Sequence, residues 1–93
     1  MGEITDSTPI RRKANLFDAE VDSEVVALDV EGGDCYGFNV VASAVWNRLS
    51  DQTSVTQICS ELCQEFDVSE AVCHEEVLSL VKRLADDGLV IAS

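Results

Sequence analysis

Basic residues are scarce in this chain. Only 6 of its 93 residues are Lys or Arg, against 18 Asp or Glu, giving a formal net charge of −12. Nucleic-acid binding rests largely on Lys and Arg displacing counterions from phosphates, and half of the cations here, Arg11, Arg12 and Lys13, sit in one short run. The remainder is short of what a nucleic-acid or anionic membrane surface needs. No apolar run approaches the roughly 20 residues that span a bilayer, and Met1 to Asn15 lacks the apolar segment of an export signal. The expectation is a cytoplasmic protein with reduced thiols. With 5 Gly and 1 Pro, the composition is not that of a low-complexity or disordered chain. A chain this small, with 1 His, favours a binding module over an enzyme and calls for no cofactor.

What is present is apolar: 46% of the residues, enough for one small core. Met1 to Asn15 mixes Gly, Thr, Ser, Pro and charge without periodicity and reads as a mobile arm (1–15) ahead of one domain (16–93). Leu16–Val21 and Val25–Val30 are short apolar-rich stretches separated by Asp22-Ser23, a tight-turn signal. Glu31-Gly32-Gly33-Asp34 is a stronger turn, followed by the β-prone Cys35-Tyr36-Gly37-Phe38. These predict a three-stranded antiparallel meander with the last strand at an edge.

Three helices are predicted next. Asn39 is a candidate N-cap, and Val41, Ala42, Val45, Trp46 and Leu49 share one helical face, which makes Trp46 a core residue. Ser54, with Gln57 three residues on, opens a second helix striped by Val55, Ile58, Cys59, Leu62, Cys63 and Phe66. Ser69 caps a third, Glu70 to Asp87, closed by Gly88 with Leu84 and Leu89 placed for a Schellman contact. Leu89-Val90-Ile91 adds a short extended tail. The class is α+β, winged-helix-like, in the order β-β-β-α-α-α.

The third helix has an uncharged arc about 180° wide, more than a one-sided surface helix needs. Its flank of His74, Leu78, Val81 and Ala85, with Lys82 at the rim, either packs under the sheet or tail or lines an open apolar groove. In the second case an extended peptide adds to the edge strand Asp34, Cys35, Tyr36, Gly37 and Phe38 by β-augmentation, with Gly37 permitting close approach. Cys59, Cys63, Cys73 and His74 are the only metal-ligand candidates. They lack a C-x-x-C knuckle and lie largely on an apolar stripe, so buried thiols are expected and no metal site is assigned. Cys–His catalysis lacks an orienting acid at a recognisable spacing, so no catalytic residue is assigned.

Taken together, Gly33-x-x-Tyr36-x-Phe38-Asn39, Val45-Trp46-x-x-Leu49, Ser54-Val55, Phe66-Asp67-Val68 and Leu84-x-x-x-Gly88-Leu89-Val90 resemble the PqqD-like family, the RiPP recognition elements. The likeness runs from about Leu16 to Ile91 and is nearest to the free-standing proteins of lasso-peptide pathways. Phe38 stands where the family usually has Leu. The resemblance implies a non-catalytic adaptor binding the leader of a ribosomally made precursor between the third strand and third helix. It implies a leader peptidase and an ATP-dependent cyclase as further partners. One alternative is a PqqD-like chaperone for a radical SAM or other RiPP enzyme. Another is a winged-helix DNA-binding regulator, which the charge disfavours.

Overall fold

The computed structural model describes residues 4–92. Met1 to Glu3 of the expected arm and Ser93 of the expected domain lie outside them. The element order is β1 (Ile10–Arg12), β2 (Leu16–Val21), β3 (Glu24–Asp29), β4 (Asp34–Gly37), α1 (Val40–Arg48), α2 (Val55–Glu65), α3 (Glu70–Asp86) and β5 (Val90–Ala92). The strands β2-β3-β4 form the antiparallel meander, and β1 pairs with β5 in a separate two-stranded sheet.

Local chemistry accounts for most boundaries. Val21 pairs with Glu24 across Asp22 and Ser23, which adopt positive φ of 52° and 68° as a two-residue hairpin demands. In the next turn Gly33 takes φ 73° and donates its N–H to the Asp29 carbonyl at 2.7 Å. Asn39, Ser54 and Ser69 each accept a first-turn N–H, from Ala42, Gln57 and Val72. At the end of α3, Leu89 donates to the Leu84 carbonyl and Gly88 to that of Ala85, closing the Schellman motif.

Part of the segment expected to be an arm packs against the domain. Ile10 is fully buried in the core. Its N–H and carbonyl both bond Thr53, while the Arg12 and Lys13 N–H groups reach the carbonyls of Leu49 and Leu89. Burying Ile10 while satisfying these backbone groups offsets the ordering entropy of the segment. The basic run does not form an outward patch at Arg12 and Lys13. Arg12 donates to Asp18 at 2.8 Å and lies 4.7 Å over the Trp46 ring, and Lys13 donates to the buried Asp29 at 3.0 Å.

The core lies between the meander and the helices. Val25 and Ala27 point inward from β3 onto Val45 and Trp46 of α1, with Ile58, Leu62, Val77, Val81 and Leu84 behind. Phe38 stacks on Trp46 with ring centroids 5.2 Å apart, and the Trp46 indole N–H donates to Asp18 at 2.8 Å. Buried Ser43 fastens α1 to the sheet: its hydroxyl accepts the Val25 N–H at 2.7 Å and donates to the Phe38 carbonyl at 3.3 Å.

Candidate peptide-binding cleft

The edge strand β4 has backbone groups to offer. Phe38 donates its N–H to the Val25 carbonyl at 2.9 Å, and Val25 and Phe38 are opposite in the register that pairs Val26 with Gly37. In an antiparallel pair, inward-bonding residues alternate with outward-facing ones. Tyr36 and Asp34 therefore bond toward β3, whereas Cys35 and Gly37 direct their N–H and C=O groups to the open edge. The side chains divide the same way. Tyr36 and Phe38 turn beneath the sheet and are half-buried, while Cys35 is exposed on the outer face with Gly37.

Beside this strand's end lies an apolar cleft of about 210 Å³ between α1, the α2–α3 turn and one flank of α3. Val41, Phe66, Val68, Val72 and Leu80 supply its apolar walls, with Glu76 among them. Val72 is 50% exposed and Val41 40%. Asn39, the residue after Phe38, lies on the cleft wall and joins it to the end of the edge strand. On β4 the Tyr36 phenol is held above its ordinary pKa, chiefly by burial, with the carboxylates of Asp34 and Asp87 adding to the effect. That places the end of α3 on the same side of the molecule as β4.

The α3 residues expected to line a groove lie on the opposite flank. His74 Nδ1 meets an Asp6 carboxylate oxygen at 3.1 Å, beneath the N-terminal segment. Leu78 and Ala85 are half-buried against the core, Lys82 is half-buried, and Val81 is fully buried. Val81 is thus a core residue, out of reach of a ligand. The flank that faces the cleft, Val72, Glu76 and Leu80, is hidden from a helical wheel because Glu76 interrupts the uncharged arc before Val72. The available signal is Val68 and Val72 flanking the Ser69 cap, two apolar residues off the core stripe of Cys73, Val77, Val81 and Leu84.

The thiols occupy the α2–α3 interface. Cys59 and Cys73 are buried and Cys63 partly so. Burial, reinforced by a hydrogen bond with Cys73, pushes the Cys59 thiol up to about 12, and burial also raises Cys63. Among the described residues no group of three His, Cys, Asp or Glu is arranged to hold a metal ion.

A three-stranded antiparallel sheet with a free edge, followed by a three-helix bundle and an unfilled apolar cleft, defines a small α+β domain of winged-helix-like order. The chain belongs to the PqqD family, matching coenzyme PQQ synthesis protein D over residues 24–90. The fold recurs in three solved structures. TbiB1 in complex with the TbiA(beta) leader peptide has a TM-score of 0.79 at 24% identity, covering 86% of this chain and 93% of that one. Lasso peptide synthetase B1 complexed with the leader peptide has a TM-score of 0.76 at 24% identity, covering 88% and 96%. The PqqD truncation of Methylobacterium extorquens PqqCD, a stand-alone RiPP recognition element, has a TM-score of 0.79 at 20% identity, covering 96% and 95%. No curated protein matches the chain.

Proposed function

We propose that this domain is a non-catalytic adaptor that captures the leader of a ribosomally made precursor peptide and presents it to modifying enzymes, in lasso-peptide biosynthesis. The observation that carries this reading is the pairing of a free strand edge at Cys35 and Gly37 with the unfilled cleft of Val41, Val72 and Leu80. An extended peptide paired with β4 exchanges main-chain hydrogen bonds there, and its alternate side chains enter the cleft. Two of the similar structures are complexes with leader peptides, which favours this reading over a partner for a radical SAM enzyme. The DNA-binding reading loses on charge. On α3 it has Lys82 and Arg83 against Glu70, Glu75, Glu76 and Asp86.

The adaptor raises the local concentration of its cargo beside an enzyme and needs no chemistry of its own. A leader peptidase and an ATP-dependent cyclase are the partners of this reading, in the cytoplasm. The test is a fluorescence-anisotropy titration with labelled leaders of precursors encoded beside this chain, and a scrambled leader as control. Saturable binding in the micromolar range or tighter is expected. Gly37→Pro removes one outward N–H from the edge and is expected to weaken it. No saturation with any leader, or unchanged affinity in Gly37→Pro, refutes the proposal.

A further inference from the structure

The outer face of the meander reverses the usual order. An antiparallel sheet packed on one side normally turns polar side chains to water on the other. Here the register aligns two uncharged rows across all three strands, Phe17–Leu28–Cys35 and Ala19–Val26–Gly37. Phe17 is 67% exposed, and Val26 and Leu28 are 45% and 41%. The acids of β2 point the other way: Asp18 and Glu20 lie beneath the sheet, bonding Arg12, Trp46 and Asn47. These apolar side chains therefore add little to the core, and their cost is a sticky edge-bounded surface.

We propose that this face docks the processing enzyme, which meets it with an apolar patch ringed by Lys and Arg; the identity of that enzyme rests on the leader-binding reading above. Three observations select this occupant. The turns bordering the face carry Asp22, Glu24 and Glu31, an acidic rim on a chain of net charge −12, which complements a basic ring and repels a second copy. The face itself, three strands of about five residues, spans on the order of 300 Å², well below the roughly 800 Å² per partner of a stable complex. A copy meeting it patch to patch gains too little, whereas an enzyme reaching the acidic turns gains more, in a transient contact. Finally, Cys35 and Gly37 belong both to this face and to the edge that accepts the peptide, so an enzyme seated here stands beside the bound leader.

The experiment uses the leader peptidase encoded beside this chain, titrated against the intact protein by biolayer interferometry, with leader binding measured separately by anisotropy. Phe17→Lys places a cation in the patch, and Glu24→Lys reverses the rim. Both are expected to weaken peptidase binding by roughly tenfold or more while melting temperature and leader affinity hold. Wild-type binding is expected to weaken with added salt. The proposal is overturned if both variants bind the peptidase as wild type does, if wild type does not bind it, or if sedimentation shows a dimer that Phe17→Lys dissolves. If no leader binds but peptidase binding still depends on Phe17, the docking face stands and the leader-binding reading falls.

Discussion

The two flanks of α3 make opposite predictions about where a leader peptide lies, and paired substitutions separate them. Val41 and Val72 face each other across the cleft, 40% and 50% exposed. Burying a whole Val side chain is worth about 1.5–3 kcal/mol. About half of each side chain is still open to water, so covering it contributes ~1 kcal/mol per residue to peptide affinity by the same measure. The double variant Val41→Ser, Val72→Ser is therefore expected to lose ~2 kcal/mol, a roughly thirtyfold weaker Kd. Neither residue belongs to the buried core, so the melting transition should move little. His74→Gln, on the other flank, should leave Kd unchanged while loosening the Asp6 segment. The assay is anisotropy with a labelled leader at fixed salt. If His74→Gln abolishes binding and the double valine variant does not, the peptide lies under the N-terminal segment and the cleft assignment is wrong.

Other perturbations test what holds the site in place. Ser43→Ala leaves the buried Val25 N–H without its acceptor, and should cost about 1–3 kcal/mol in urea unfolding; a change within error would mean the bond contributes nothing net. Ile10→Ala should cost about 2–5 kcal/mol as a core truncation, whereas a mobile arm would tolerate it. The hydrogen bond from Lys13 holds the Asp29 carboxyl below its ordinary value of 3.8, and the same bond raises Lys13 above 10.5. The ionised pair thus stabilises the fold between those values. The stability difference between wild type and Asp29→Asn, followed by urea midpoints, should shrink as pH falls below 3.8 and again as it rises above 10.5. A difference independent of pH would show that the pair is not the cause. In native protein at pH 8, a thiol reagent should modify Cys35 rapidly and Cys59 only on unfolding, since burial keeps Cys59 protonated up to about 12.

Elements signalled by neighbouring residues were readable from the chain. The caps at Asn39, Ser54 and Ser69, the turn at Asp22-Ser23 and the Gly88–Leu89 closure all rest on interactions within a few positions. Edge placement of β4 followed from meander order. The β1–β5 pair did not, because it joins Ile10–Arg12 to Val90–Ala92 across nearly the whole chain, with Thr53 on its other side. A single buried isoleucine in a polar segment makes no periodic pattern. Which flank of α3 lies beside the open cleft was not legible for a related reason. A helical wheel reports which residues are uncharged, but which flank is covered depends on elements distant in sequence. Here the Asp6 segment covers His74, and Glu76 tolerates the water that reaches the cleft.

The packing of the Ile10–Lys13 segment also changes the meaning of the composition. Arg11-Arg12-Lys13 looks like the one basic patch of an acidic chain. Folding turns Arg12 and Lys13 inward onto Asp18 and Asp29, and Arg48 is paired with Glu61 and Glu65 between α1 and α2. Ion pairing moves no charge off the molecule, so the net charge of −12 is unchanged. What changes is its distribution: Arg12, Lys13 and Arg48 sit at the joints between elements, and the turns and the outward side of α3 keep carboxylates. Long-range attraction is thereby reserved for basic partners. Strand edge, apolar cleft and outer sheet face remain uncharged enough to bind by contact. In such a division, charge selects what approaches and the short-range surfaces decide what stays.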